Sequence, residues 1–271
     1  MELLPLKNNA VTIIGGGLAG SEAAYQLAIR GINVVLYEMR PLKMTEAHET
    51  GDLAELLCSN SLKSTDITNS NGLLKKELEI GNSLLIKVAY ETRVPAGNTL
   101  AVDRELFSKK ITDIISNHPN IMVIRREITD IPNTEPLIIA TGPLTSQQLS
   151  EKITELTGTQ LYFFDAISPI IDADTIDYTI CFFKSRYGKG DDDYLNCPMT
   201  KEQYDRFYEA LLKSERVKYK DFEKMIVYEK CIPIEELADR GYKTLLFGPM
   251  RPVGLENPKT GEKYFAVVQL R

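Results

Sequence analysis

The stretch "AVTIIGGGLAGSEAAYQLAIRGINVVLYE", residues 10–38, limits the fold more than any other part of the chain. "AVTIIGG" is a short β-branched run leading into glycines. "SEAAYQLAIRG" has helical apolar spacing at Ala23, Ala24, Leu27 and Ala28 and a stop at Gly31, and "INVVLYE" reads as a second buried strand. Strand, glycine turn, helix and strand within about thirty residues form a βαβ unit, which demands a right-handed crossover and a parallel sheet.

Gly15, Gly16, Gly17, Leu18, Ala19 and Gly20 complete a G-x-G-x-x-G fingerprint between strand and helix. Gly15 allows the tight turn, Gly17 has no Cβ to block a pyrophosphate, and Gly20 lets helix and strand pack closely. The phosphates would sit on free N–H groups at the helix N-terminus, favoured by its dipole. Glu38 ends the second strand 18 residues after Gly20, where a carboxylate can accept hydrogen bonds from an adenosine ribose. A carboxylate there disfavours a 2′-phosphate, so FAD or NAD fits better than NADP. The strand ending in Ala140, Thr141 and Gly142 resembles the Ala-Thr-Gly segment of two-dinucleotide-fold flavoproteins and turns the choice toward FAD.

Residues 39–71 are polar and rich in turn formers, the mark of a functional or disordered loop. Residues 72–92 and 104–119 read as helices, 120–131 as a strand with a following turn, and 136–143 as a buried strand ending in small residues. Beyond Thr145 the texture changes. Residues 163–178 and 179–188 suggest antiparallel strands, and "TKEQYDRFYEALLKSE" is an amphipathic helix with a Thr200 cap and Glu202 in its first turn. The fold expected is α/β, a Rossmann-like FAD-binding domain over 1–147 with an α+β insertion domain over 148–248. Residues 249–271 would begin a return to the FAD domain, left incomplete at the C-terminus.

A net charge of −6 argues against a chain that coats a polyanion, but it permits a local basic patch. No run approaches the ~18 apolar residues of a membrane span, and the first residues lack a signal-peptide layout. The four cysteines are far apart, with no CxxC pair, and there are two histidines. That pattern points away from a metal site or a disulfide framework and toward a cytoplasmic protein with no membrane partner.

Cys181, in "TICFF", reads as core, and Cys197 is ambiguous. Cys58 lies in a polar loop near Lys63, and Cys231 lies near Lys230 and a helix start at Pro233. Each of these two is either a buried filler or a thiol of lowered pKa. Lys63, Arg93, Lys184, Arg186, Lys189, Lys213, Arg216, Lys218 and Lys220 could meet RNA, with Tyr187 and Tyr219 for stacking. The 213–220 stretch reads equally well as a solvated helix face.

The motifs "GGGLAGSEAAYQLA", "LYEMRP", "ELLCSNSLKS", "NGLLKKELE", "RVPAGNTLAVDRELF", "IIATGPLTS", "YEKCIPIEELADRG" and "LLFGPMRPVGL" together closely resemble the folate- and FAD-dependent tRNA (uracil-5-)-methyltransferases, from about Val11 to Arg271. The resemblance implies transfer of a one-carbon unit from methylenetetrahydrofolate, by way of reduced FAD, to C5 of the T-loop uridine, with NADH or NADPH as reductant. It places Cys58 near the flavin, makes Cys231 the nucleophile on uracil C6, and adds Arg40 of "LYEMRP" to the cofactor-binding residues. Uracil C5 is a poor nucleophile until a thiolate adds at C6, which gives that second thiol its purpose.

Members of the family continue past the point matching Arg271 with a segment that completes the FAD domain. The expectation is therefore a chain that lacks that segment or takes it from another chain, and that tends to self-associate through an exposed sheet edge. Three other readings remain open: the same chemistry on ribosomal RNA, a flavin- or NAD-linked oxidoreductase with Cys58 as a redox thiol, and a non-catalytic remnant.

Overall fold

Short, nearly continuous runs of β-branched and other apolar residues build the first sheet. In the computed structural model, which describes residues 10–57, 59–158, 171–188, 191–216 and 232–270, β1 (Val11–Ile14), α1 (Leu18–Ala28) and β2 (Val34–Glu38) form the expected unit. β6 (Ile121–Arg125) and β7 (Leu137–Ile139) complete a parallel sheet in the order β6-β2-β1-β7. The chain leaves β1 toward β2 and β6 on one side and reaches β7 on the other. Strand order thus reverses beside β1, where an open α/β sheet leaves a crevice at the carboxyl ends of its strands.

Both faces of this sheet are covered, which is why its strands read as nearly continuous apolar runs. Val11, Ile13, Val34 and Leu36 pack with Ala24 and Ala28 of α1 and with Val88, Phe107 and Ile111. The last three sit on α3 (Leu84–Glu91) and α4 (Arg104–Ser116). Ile14, Val35 and Tyr37 face the other way, onto Ile128 and Leu149, the latter on α5 (Gln147–Thr157).

The single helix expected over 72–92 is two: α2 (Ser70–Ile80) and α3. Gly81 ends the first, Asn82 turns the chain at φ +58°, and the Ser83 hydroxyl accepts from Ile86 N–H to start the second. The polar segment after β2 holds a strand the sequence did not reveal, β3 (Ser61–Ser64), in a sheet ordered β3-β5-β4 with β4 (Arg93–Val94) and β5 (Thr99–Val102). β7, expected to be buried, is half-buried at the sheet edge.

Of the described residues, 10–94 and 100–158 form one compact unit, and 95–99 with 171–270 form another. In the second, β8 (Phe182–Phe183), β9 (Leu195–Met199) and β10 (Ala266–Leu270) make an antiparallel sheet ordered β10-β9-β8. α6 (Lys201–Leu212) carries the expected Thr200 cap, reinforced by Gln203 as a capping box. Tyr204 and Tyr208 of α6 pack against Tyr242 and Phe265. Their hydroxyls donate to Tyr242 O and Ala238 O at 2.6 and 2.8 Å, which ties α6 to α7 (Ile234–Asp239) and the turn after it.

Three expectations change here. Residues 171–178 hold a short 3-10 turn at Ala173–Thr175 in place of a strand, and 163–170 lie outside the described residues. Cys181 is half-buried, because β8 is a two-residue edge strand, and does not belong to the core. Residues 249–270 fall within the second unit, where β10 pairs with β9, although the sequence suggested a turn back toward the first.

Candidate dinucleotide site

The glycine fingerprint sits at the strand-order reversal, and each glycine there meets a different constraint. Gly15 has φ +103°, and a Cβ on it would lie 2.6 Å from Ala140 O. The backbone of Ala140 and Thr141, just past β7, therefore lies directly against the turn, and Ala140 N–H donates to Ile14 O at 2.7 Å; Gly142 has open space around it and is set apart by its φ of +65°. A Cβ on Gly20 would lie 1.8 Å from Gly15 O, so α1 can start against the turn only with glycine there. Gly16 is hemmed in by Leu53 and Glu38. Gly17 differs, since a Cβ there would meet nothing within 4 Å. It is the N-cap of α1 without a side-chain cap, and Leu18 and Ala19 of the first turn are exposed. The helix thus presents open N–H groups at the end where its dipole favours an anion.

Glu38 holds this turn in place. Its Oε2 accepts from Gly16 N–H at 2.9 Å and Arg40 Nη2 at 3.3 Å, and its Oε1 accepts from Arg40 N–H and Nε, both at 3.0 Å. Burial pushes the Glu38 carboxyl up, but the Arg40 hydrogen bonds and charge, with Gly16 N–H, outweigh it and hold the group below its ordinary value. Four donors occupy the roughly four lone-pair positions of a carboxylate. A ribose hydroxyl at Glu38 would be a fifth partner, competing with Arg40. Arg40, 2% exposed, also donates to Glu55 Oε2 at 2.9 Å, and Arg125 Nη1 donates to Arg40 O at 2.9 Å.

A cleft opens beside the turn, bounded by Gly15, Gly17, Tyr37, Glu38, Arg40, His48, Arg126, Thr141, Thr145 and Leu149. Several of these escaped the sequence reading. Tyr37 is 1% exposed, and its hydroxyl has no hydrogen-bond partner in the structure; nor do Nε and Nη2 of Arg126. The Arg126 guanidinium lies 5.2 Å from the centre of the Tyr37 ring, a cation–π contact. Buried polar atoms are rarely left unpaired, so unpaired donors on two residues that line a cleft beside a phosphate-type turn fit a polar ligand. His48 Nδ1 lies 2.6 Å from Thr45 Oγ1; burial first, then the Arg40 charge, lowers its pKa. Glycines without room for a Cβ, an open helix N-terminus and orphaned donors on the cleft wall together suit a dinucleotide such as FAD.

Other sequence-flagged residues fall elsewhere. Cys58, Cys231, Lys189, Lys218, Tyr219 and Lys220 lie outside the described residues. Lys63 and Arg93 are exposed on the first unit. In the second, Lys184 Nζ donates to Glu256 O, Arg186 to Val253 O, Lys213 pairs with Glu209, and Arg216 pairs with Asp239. The described part of the 213–220 stretch is thus a face of paired charges, and exposed Tyr187 remains available for stacking. Among the described residues no group of three or more His, Cys, Asp or Glu could hold a metal, and no helix is long and apolar enough to cross a membrane.

The family described as Glucose inhibited division protein A matches residues 10–271. Methylenetetrahydrofolate--tRNA-(uracil-5-)-methyltransferase TrmFO of Natranaerobius thermophilus is 59% identical over 262 residues, which cover 96% of this chain and 60% of that protein. The TrmFO of Aquifex aeolicus is 60% identical, covering 96% of this chain and 59% of its own. That of Bacillus licheniformis is 57% identical, covering 97% and 61%. The chain spans about 60% of the length of these curated relatives. Among solved structures, Aquifex aeolicus GidA in its form II crystal superposes with a TM-score of 0.57 at 14% identity, over 96% of this chain and 49% of that one. That likeness speaks to the fold alone.

Proposed function

The chain belongs to the glucose inhibited division protein A family, and from that premise we propose that it carries out FAD- and methylenetetrahydrofolate-dependent C5-methylation of uridine in the tRNA T-loop, with NADH or NADPH as reductant. The carrying observation is the cleft at the carboxyl ends of β1, β2, β6 and β7, where the glycine turn meets the unpartnered donors of Tyr37 and Arg126. The names of relatives 55–60% identical, methylenetetrahydrofolate--tRNA-(uracil-5-)-methyltransferases, support the folate-dependent methylation of tRNA uracil in this reading. A cytoplasmic location goes with it, as does a division into a FAD-binding unit and a second module.

In this reading Gly17 and the first turn of α1 hold the pyrophosphate, and Tyr37 and Arg126 donate to the polar edge of the cofactor. Glu38 and Arg40 fix the turn. Bound FAD would supply the one-carbon transfer and redox chemistry. The chain's part on the RNA is nucleophilic. The Cys231 thiolate adds to uracil C6, and the electron pair of the C5–C6 bond moves to C5 and its carbonyl. C5 then takes the one-carbon unit and loses its proton to a base, and the C6–S bond breaks to release the thiolate. Cys58 serves on the flavin side.

The test is transfer of labelled carbon from methylenetetrahydrofolate to a T-arm RNA in the presence of FAD and NADPH. Cys231→Ala should lower it by roughly 10³-fold or more, as removal of a covalent nucleophile does, and Cys58→Ala should abolish it through the flavin side. Full activity in either variant removes that cysteine from the mechanism. Transfer to a ribosomal RNA fragment but not to the T-arm replaces the substrate.

A further inference from the structure

Cys181 and Cys197 belong to the second unit and have no part in the proposed reaction. β8 runs antiparallel to β9 with Phe182 opposite Asn196 and Phe183 opposite Leu195, so one step further along the same ladder Cys181 faces Cys197. The kind of position follows from the hydrogen bonds. Lys184 N–H donates to Tyr194 O at 3.0 Å, which makes 184–194 a hydrogen-bonded pair. Alternation along an antiparallel ladder then makes 182–196 another such pair and leaves 183–195 and 181–197 without mutual backbone bonds. Cys181 N–H indeed turns away, donating to Asp177 O at 3.0 Å.

At such open positions facing Cα atoms approach to about 4.5 Å, inside the ~4.4–6.8 Å span that a disulfide bridges. The two sulfurs lie 3.4 Å apart, and both residues are half-buried, within reach of a small solute. The register is held firmly. Fully buried Asn196 directs its Nδ2 at the carbonyls of Phe182, Lys184 and Tyr194, at 3.1, 2.9 and 3.1 Å, and its Oδ1 accepts from Gln269 Nε2 at 3.0 Å. One amide therefore ties β8 and β10 to β9 beside the thiols. Two sulfurs alone do not make a metal site, and no third ligand joins them among the described residues.

We propose that Cys181 and Cys197 are a reversible redox pair, closed to a disulfide by a hydroperoxide and reopened by a small dithiol. The order of events follows from their surroundings. Burial, then contact with Cys181, pushes the Cys197 thiol up, which suits it to the resolving role, with Cys181, next to the edge strand β8, as the attacking sulfur. The Cys181 sulfur forms a bond to one peroxide oxygen, the O–O bond breaks, and the departing oxygen takes a proton to leave as water, or as an alcohol from an alkyl peroxide. Cys197 then attacks that sulfur. The S–S bond forms as the S–O bond breaks, and the hydroxide released takes the Cys197 proton as a second water. Overall two thiols lose two electrons and two protons, and the peroxide is reduced. Closure fastens a two-residue edge strand to the central strand of its sheet. It asks nothing of the dinucleotide cleft and stands or falls separately from the methyltransferase reading.

The test treats the reduced chain with hydrogen peroxide, blocks remaining thiols with an alkylating agent, and maps tryptic peptides without reduction. Trypsin cuts after Lys184 and Arg186, so the two cysteines fall on different peptides. The expected result is a linked Cys181–Cys197 peptide pair, lighter than its separate parts by about 2 Da, that dithiothreitol splits. Cys181→Ser and Cys197→Ser should each abolish it. Full alkylation of both residues after peroxide, or sulfinic acid at Cys181 beside a free Cys197, overturns the proposal. Should the serine variants fail to fold, wild-type chain equilibrated with glutathione redox buffers decides. A two-electron transition of this peptide pair supports the proposal, and no linkage at any potential rejects it.

Discussion

Two titratable side chains at the cleft carry the clearest residue-scale consequences. Glu38 has its pKa lowered by folding, so its stabilising contribution is present above the ordinary value of 4.5 and is lost as pH falls through the lower folded value. His48 is also lowered, from 6.5, and as a base held neutral it too costs stability as pH falls below that value and the unfolded chain binds the extra proton. Urea-derived stability should therefore decline in two acid-side stages, with His48→Gln removing the first and Glu38→Gln the second. Glu38→Gln should also cost about 3 kcal/mol at pH 7, since Arg40, buried at 2% exposure, loses one of its two carboxylate partners. An unchanged urea midpoint would mean that the pair does not hold the turn.

At the scale of elements, α1 and its glycine turn separate what folding needs from what a ligand needs. Gly20→Ala sets a methyl against Gly15 O and should destabilise by roughly 1–3 kcal/mol, the cost of overpacking. Gly17→Ser adds a preferred N-cap in open space, so it should melt no lower than wild type yet weaken FAD binding at least about tenfold. A Gly17→Ser chain that binds FAD normally would move the pyrophosphate elsewhere. In the second unit, Thr200→Ala should cost about 1 kcal/mol by urea denaturation, through loss of the capping box. The elements that could be read ahead of the structure carried their signals locally, in the apolar runs, glycines and helical spacing of β1-α1-β2 and in Thr200 before α6. The break between α2 and α3 was hidden because Leu84 follows Ile80 at helical spacing, although Gly81 and Asn82 were visible stop residues and Ser83 a visible cap. β3 has no pattern of its own and exists through its partners, whereas β8 lies inside the antiparallel strand expected over 179–188 but is only two residues long. Tyr37 and Arg126 look like a strand residue and a surface cation until tertiary packing brings both to one cleft.

At the scale of the whole molecule, the α/β class, the parallel sheet and the family were legible from about eight motifs, because those motifs preserve both backbone demands and chemistry. The second unit was less so: its sheet is joined by short strands from distant parts of the sequence, β8, β9 and β10. In the proposed function the first unit is a FAD site whose turn, helix dipole and unpaired donors are already arranged. Its most direct test is titration of the purified chain with FAD, read by visible absorption and by quenching of flavin fluorescence, alongside Gly17→Ser. The account predicts saturable one-to-one binding by the wild type that weakens at least about tenfold in the variant. A folded wild-type chain that stays colourless in excess FAD would contradict it.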